Sequence, residues 1–157
     1  MYRHILIPTD GSELSGKAVE HGIAVAKSIN AKVTVLTVTT PFHILAIEPG
    51  MVTDTPEGYE KRMAGLAAKH LGAAKDAATA AGVTCDTMRV VHEHPYVAII
   101  DTAARQSCDL IVMASHGRRG LSAIVLGSET VKVLTHSAIP VQVVRAPQPA
   151  AALAVAS

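Results

Sequence analysis

The feature that most constrains this fold is a regular alternation between short apolar runs rich in β-branched residues and longer segments with helical spacing of apolar residues. The short runs predict strands at residues 4–8, 32–38, 84–91, 109–115 and 140–145. The longer segments predict helices at residues 13–29, 56–81, 95–106 and 128–136. Strands that alternate with helices form a parallel sheet with helices on both faces. The sequence therefore predicts one doubly wound α/β domain with a five-stranded parallel sheet.

Capping residues mark the ends of the first two predicted helices. Ser12 is placed to cap the first helix, and Asn30 to end it in the left-handed conformation. Thr55 followed by Pro56 is typical of a helix start, and Gly82 of a helix end. Within the first helix, small and apolar residues recur at helical spacing and predict the face that packs on the sheet: Leu14, Ala18, Gly22, Val25, Ala26 and Ile29.

The length and the two irregular segments define the predicted domain. A chain of 157 residues suits a single domain, which we place at residues 1–145. Residues 146–157 are rich in Ala and Pro without periodicity, and we expect a disordered tail. Residues 39–56 read as a long surface excursion with a short turn near residues 42–46. Cys85 and Cys108 are isolated, so we expect reduced, apolar core residues.

Charge and composition exclude two classes of partner. The net charge is +1 and aromatic residues make up 3% of the chain, whereas nucleic-acid binding favours a basic face and stacking aromatics. Anionic membranes likewise favour a basic face, and no apolar run reaches the ~18 residues of a membrane span. No secretory signal is visible before the first strand. We therefore expect no nucleic-acid or membrane partner and a cytoplasmic location.

A glycine-rich connection links the fourth predicted strand to the last predicted helix. It contains Gly117, Gly120 and Gly127, and the helix begins at Ser128. Glycine lets a backbone approach a ligand closely, and a helix N-terminus attracts anions such as phosphate. The alternative is an ordinary connection that needs glycine for its turns. In open parallel sheets this connection meets the loops after the first two strands at the carboxyl edge, where ligands bind.

Two stretches of the chain resemble the universal stress protein family, and in particular its ATP-binding branch. They read ILIPTDGSELSGKAVEHGIAVAK and DLIVMASHGRRGLSAIVLGSETVKVLTHSAIPVQVV. In that branch a first glycine is followed, after two residues, by a second glycine, and after nine more residues by a third glycine with Ser or Thr next to it. Gly117 matches the second glycine, and Gly127 with Ser128 matches the end of the motif. Ala114 replaces the first glycine and fits only if its φ is negative. The resemblance implies strand order 3-2-1-4-5 and ATP, with Mg²⁺, bound where the strand order reverses.

The resemblance also implies a role for each loop. Asp10 would accept hydrogen bonds from the ribose, and the backbone near Val38 would meet the adenine edge. The residues after the fourth strand would surround the phosphates. The full predicted site comprises Pro8, Thr9, Asp10, Val38, Met113, Ala114, His116, Gly117, Arg118, Gly127, Ser128, Glu129 and Thr130. Residues 140–145 form an apolar edge strand that invites pairing, and many relatives dimerise through this strand, so a homodimer is expected; the alternative is that residues 146–157 fold back over the edge. For Asp10, a turn-forming side chain that bonds its own backbone is the alternative.

Two other stretches of the chain resemble binding motifs. Residues 11–18 approach a Walker A loop but lack the Ser or Thr after Lys17 that would hold magnesium, and Ser12 is better explained as a helix cap. No G-x-G-x-x-G stretch is present, which disfavours a dinucleotide-binding fold of that type. His92 and His94 could bind a metal, although polar loop residues are the favoured interpretation.

No catalytic constellation stands out in the sequence. Phosphoryl transfer needs a positioned base or water-orienting group, and Asp10 and Glu129 are the carboxylates that fall near the predicted nucleotide. Three hypotheses follow: an ATP-binding regulatory module with slow hydrolysis at most, a true ATPase or phosphotransferase, or an interaction module that binds no nucleotide. The first is favoured, and no catalytic residue is assigned.

Overall fold

A computed structural model describes residues 1–42, 55–117 and 125–147. Its strands are β1 (His4–Pro8), β2 (Lys32–Thr39), β3 (Cys85–Val91), β4 (Leu110–Ala114) and β5 (Val141–Val144). The helices within these ranges are α1 (Glu13–Ile29), α2 (Pro56–Ala81), α3 (Pro95–Arg105) and α4 (Ser128–His136). The predicted elements are confirmed, with each end within one residue of its predicted position.

The sheet has the order β3-β2-β1-β4-β5, and all its neighbouring strands are parallel. In the centre, Ile5 of β1 pairs with Val33 on one side and Leu110 on the other. The chain therefore runs outward from β1 to β3, crosses back over β1, and continues outward from β4 to β5. The reversal lies between β1 and β4, as the family resemblance implies.

Each face of the sheet packs against its own pair of helices. Successive side chains of a strand point to opposite faces, so Ile5 and Ile7 join the core beneath α1 and α2, while Leu6 joins the core beneath α3 and α4. All three side chains of β1 are fully buried. This arrangement leaves the carboxyl edge of the sheet as the place where the loops from both layers meet.

The predicted helix ends are confirmed by their hydrogen bonds. Ser12 Oγ accepts from the Ser15 N–H at 3.3 Å, and Thr55 Oγ1 accepts from the Gly58 N–H at 3.0 Å. Asn30 and Gly82 adopt the left-handed conformation, with φ of 57° and 73°. Ser12 and Asn30 lie in the turns that lead from β1 into α1 and from α1 into β2, and Gly82 lies in the turn from α2 into β3.

One sequence-based expectation needs correction, and two fall outside the described ranges. Helical spacing places Leu66 on one side of α2 with Tyr59 and Met63, but Leu66 is exposed, because the buried stripe runs through Ala67 and Leu71 instead. The turn predicted near residues 42–46 and the tail predicted at residues 146–157 lie almost wholly outside the described residues. Cys85 and Cys108 are buried and free, as expected, and burial raises the pKa of Cys108 to about 11.

His4 is a buried titratable group at the start of β1. Its side chain is 4% exposed, and its Nε2 lies 2.7 Å from Thr34 Oγ1. Burial, and then the charge of Lys32, lower the pKa of this imidazole. The unfolded chain thus binds a proton more readily here than the folded chain does.

We expect acid to destabilise the fold through His4. Because the pKa is lower in the folded state, the free energy of unfolding should fall as the pH drops below about 6.5, where the unfolded imidazole takes up a proton. In His4→Gln this slope should be reduced between pH 7 and pH 5, as measured by urea unfolding at each pH. Identical slopes for the variant and the wild type would contradict the assignment.

Candidate functional site

The carboxyl ends of β1, β2 and β4 border a cleft of about 380 Å³. The N-terminal ends of α3 and α4 complete its walls through Pro95 and Ser128. The lining is amphipathic, since Leu36 and Met113 lie in the same cleft as Asp10. Clefts of about 300–1,000 Å³ with apolar walls and few polar groups are typical small-molecule sites.

The structure brings the predicted site residues together around this cleft. Those within the described ranges all line it: Pro8, Thr9, Asp10, Val38, Met113, Ala114, His116, Gly117, Gly127, Ser128, Glu129 and Thr130. Arg118, together with Arg119 and Gly120, lies outside the described residues. The lining shows which residues are close to one another, while their roles in binding stay predictions.

Four lining residues were missed by the sequence analysis, namely Ser15, Leu36, Pro95 and Ile99. Leu36 lies two residues before Val38 on β2, and period-two alternation places both on one face. Pro95 and Ile99 are four residues apart on α3, so they share a helix face. These spacings predict which residues share a face of a strand or helix. Only the sheet order shows which loops meet, and therefore which of these faces border the cleft.

The turn between β1 and α1 is held by short polar side chains. Thr9 Oγ1 accepts from the Gly11 N–H at 3.3 Å and lies 2.9 Å from Ser15 Oγ. Asp10 Oδ1 accepts from the Ser12 N–H at 2.9 Å. Asp10 therefore does bond the backbone of its own turn, as the alternative interpretation of this residue expects. The hydrogen bond also fixes the position of the second carboxylate oxygen.

The Asp10 carboxylate lies directly against Gly117. A Cβ atom at position 117 would clash with Asp10 Oδ2, closer than any van der Waals contact allows. Glycine is needed here for space between two loops that come from neighbouring strands. The loops that follow β1 and β4 thus meet at the cleft, where this carboxylate packs against Gly117.

The end of β4 and the start of α4 are fastened by two hydrogen bonds. The Gly127 N–H donates to the Ser115 carbonyl at 2.7 Å, and Thr130 Oγ1 donates to the Ala114 carbonyl at 3.0 Å. A Cβ atom at Gly127 would lie 3.1 Å from His116 Cα. Gly127 is therefore required for close packing of the connection on itself.

The Gly127 N–H is already used within the protein, since it donates to the Ser115 carbonyl. The N–H groups of Ser128, Glu129 and Thr130 belong to the first turn of α4 and have no acceptor within their own helix. The donors that α4 offers therefore begin at Ser128, while anion binding at this helix start stays a prediction.

Ala114 fits the position at which the family motif carries glycine. It is the last residue of β4, and within the described residues only Asn30 and Ser107 combine a side chain with positive φ. Its extended backbone therefore accommodates a methyl group, which packs beside Leu14 and Ala18. Alanine in place of the motif glycine therefore introduces no backbone strain at position 114.

The Glu129 side chain is committed to a neighbouring helix. Its Oε2 accepts from the Tyr96 N–H at 2.8 Å, in the first turn of α3, and its Oε1 lies 3.5 Å from Lys132 Nζ. A carboxylate at a helix N-terminus is favourable because of the partial positive charge there. Glu129 thus joins α3 to α4 across the cleft wall.

The two lookalike motifs have structural roles. Lys17 of the Walker-like stretch lies inside α1, with Nζ 3.7 Å from Glu13 Oε1. His92 Nδ1 accepts from the His94 N–H at 2.9 Å. Among the residues that the structure describes, no three His, Cys, Asp or Glu side chains come together as a metal site.

Comparison with known proteins assigns the chain to a family. The model of the universal stress protein family matches residues 1–145. The chain belongs to this family. It is 33% identical over 154 residues to universal stress protein MJ0531 of Methanocaldococcus jannaschii, an alignment that covers 94% of this chain and 85% of the relative.

Solved structures agree with the family's fold. Hypothetical protein MJ0577 superposes with a TM-score of 0.77 at 28% identity, covering 95% of this chain and 99% of that one. A universal stress protein solved in complex with cAMP superposes with a TM-score of 0.69 at 26% identity, covering 91% and 97%. No helix within the described ranges is both long and apolar enough to cross a membrane.

Proposed function

We propose that this universal stress protein is a regulatory module that binds an adenine nucleotide, ATP with Mg²⁺, in the cleft at the carboxyl edge of its sheet. The observation that carries the proposal is that Asp10 and the first turn of α4 line the same cleft. A carboxylate suits ribose hydroxyls, and a helix N-terminus suits phosphate. Nucleotides present both groups on one molecule.

In this proposal each loop contacts one part of the nucleotide. Asp10 accepts from the ribose, the backbone near Val38 meets the adenine edge beside Pro8 and Thr9, and the first-turn N–H groups of α4 hold the phosphates. The Ser128 hydroxyl adds a further donor. Mg²⁺ prefers oxygen ligands and usually enters with the phosphates of its nucleotide, so we expect it to arrive bound to ATP.

The family comparison supports an adenine nucleotide. The relative solved with cAMP is 26% identical and shares the fold over 91% of this chain. The cleft also has apolar walls for a base, provided by Leu36, Val38 and Ile99. A role in the stress response, and a cytoplasmic location, follow from family membership as part of the same proposal.

We expect binding with slow turnover at most. The two carboxylates of the cleft that the structure describes, Asp10 and Glu129, both accept hydrogen bonds from backbone N–H groups. A general base instead needs a carboxylate directed at the attacking water. This arrangement supports a positioning role for both side chains, and it favours a switch over an ATPase or phosphotransferase.

Chromatography of the small molecules released from freshly purified, denatured protein tests the proposal. We expect an adenine nucleotide, and in a single-turnover assay with labelled ATP we expect a rate far below the usual ~1–10³ per second of enzymes. Absence of any nucleotide, with no binding on addition of ATP, would favour the nucleotide-free interaction module. A rate above about one per second that is lost in Asp10→Ala would identify an enzyme.

The second part of the proposal is a homodimer that forms through β5. This strand lies at the edge of the sheet. Ile111 N–H donates to the Pro140 carbonyl and Ser115 N–H to the Val144 carbonyl. Because inward and outward groups alternate along a strand, the Val143 N–H points away from β4. It is available to a second copy related by a two-fold axis.

Val143→Pro is therefore expected to dissociate the dimer while leaving the β4–β5 ladder intact. Proline removes the outward donor, so light scattering at micromolar concentration should give a dimer for the wild type and a monomer for the variant. Val143→Ala keeps the donor and should remain dimeric. A monomeric wild type in the presence of ATP would contradict this assembly.

A further inference from the structure

We propose that His70 of α2 is a positioning residue for the nucleotide site, because its imidazole supports the turn that carries Asp10. The inference rests on the proposed function. His70 is half-buried and does not line the cleft. It acts through the backbone of Gly11, the residue that follows Asp10.

The imidazole packs against Gly11. A Cβ atom at position 11 would lie 2.5 Å from His70 Cδ2 and nearer still to Nε2 and Cε1. Gly11 has a φ of 79°, a conformation that side chains rarely adopt. Glycine at this position therefore serves both the turn and the approach of the ring.

The Asp10 turn is held from two sides. On one side the His70 ring covers Gly11, and on the other Gly117 leaves room for Asp10 Oδ2. Leu71, the next residue of α2, is 8% exposed within the core beneath α1 and α2. The ring is thus carried by a helix that is anchored in the core.

This support matters because a hydrogen bond to ribose depends on direction. Hydrogen bonds weaken steeply when donor and acceptor are misaligned. One Asp10 oxygen is used by the Ser12 N–H, so a rotation of the Gly11 backbone redirects the other. Loss of the ring should therefore affect recognition of the ribose more than recognition of the base or phosphates.

Calorimetry with ATP and with 2′,3′-dideoxy-ATP, which lacks both ribose hydroxyls, tests the inference. We expect the wild type to prefer ATP by about tenfold or more, the effect of a hydrogen bond to a charged acceptor. His70→Ala should lose most of this preference, as Asp10→Asn should. His70→Phe, which keeps a planar ring over Gly11, should retain it. Lys69→Ala, on the exposed side of α2, is the matched control and should behave as wild type.

A second substitution probes the contact itself. Gly11→Ala should weaken ATP binding in the wild type by several-fold more than in the His70→Ala background, because only the wild type has a ring to displace. ATP binding is measured under conditions in which urea unfolding shows that each variant is folded, so that a loss of stability is not mistaken for a loss of affinity.

The outcomes separate this inference from the proposed function. A wild type that binds no nucleotide overturns both. A ribose preference that depends on Asp10 but is unchanged in His70→Ala overturns the role of His70 alone. A preference that is unchanged in Asp10→Asn removes the ribose contact, and with it this inference, while nucleotide binding stands.

Discussion

Gly127→Val is expected to lower the affinity for ATP by at least about tenfold, or roughly 1.4 kcal/mol. The reason is the packing of the β4–α4 connection. A Cβ atom at this position would lie 3.1 Å from His116 Cα and 3.4 Å from the Ser115 carbonyl oxygen. These are backbone neighbours, which have no rotamer to change. We expect the larger valine side chain to displace the start of α4 together with its first-turn donors.

Calorimetry and urea unfolding of the same preparations measure this effect. Ser128→Ala removes one hydroxyl and should cost less, about 1 kcal/mol of binding free energy, or up to ~3 kcal/mol if the hydroxyl bonds a charged phosphate. Gly127→Ala should fall between Gly127→Val and the wild type. Full ATP affinity in a folded Gly127→Val variant would show that the connection has only a structural role.

Gly22→Val is expected to destabilise the fold by about 3 kcal/mol. Gly22 lies where α1 crosses β1 and β4, and a Cβ atom there would lie 2.5 Å from Ile7 Cδ1 and 3.6 Å from Val112 Cβ. Both neighbours are fully buried. Because Ile7 is packed on all sides, either its side chain must leave its rotamer or α1 must shift away from the sheet, and both cost stability.

Gly16→Val is the matched control for this prediction. Gly16 belongs to the same helix, and a Cβ atom there meets nothing within 4 Å. Its free energy of unfolding should change by no more than about 0.5 kcal/mol, since glycine and valine differ little in helix propensity. Equal losses in the two variants would mean that helix propensity, not packing on the sheet, governs the response.

Helical spacing was sufficient to place Gly22 correctly. Leu14, Ala18 and Gly22 recur every four residues, and all three are buried in the structure. Spacing reports the face of a helix, and the face that packs on a sheet is the apolar one. The same logic, with the capping residues, predicted the strands and the four helices named above for the described residues to within one residue at each end.

Contacts between distant loops could not be predicted in this way. The packing of His70 on Gly11 joins residues 59 positions apart, and the sequence alone predicts no more than a surface or core position for this isolated histidine. The Glu129 carboxylate on the Tyr96 N–H is a similar case. Such contacts depend on how α2 and α4 sit over the sheet, which no local pattern encodes.

The glycine-rich connection between β4 and α4 could be predicted from the sequence only in part. Its location at the cleft followed from the strand order and the family motif, and Gly117, Gly127 and Ser128 do line the cleft. The physical reason for Gly127 did not follow, because sequence cannot distinguish a glycine that approaches a ligand from one that approaches its own chain. Its N–H bonds Ser115, and the predicted donors begin at Ser128.

Titration of the purified, nucleotide-stripped protein with ATP and with GTP, each with Mg²⁺, is the most direct test of the proposed nucleotide site. If the backbone near Val38 meets the adenine edge, ATP should bind in a one-to-one complex and GTP should bind at least about tenfold more weakly, because mismatched donors and acceptors are left unpaired. Equal affinity for the two nucleotides would contradict adenine recognition, and the absence of binding to either would contradict the site itself.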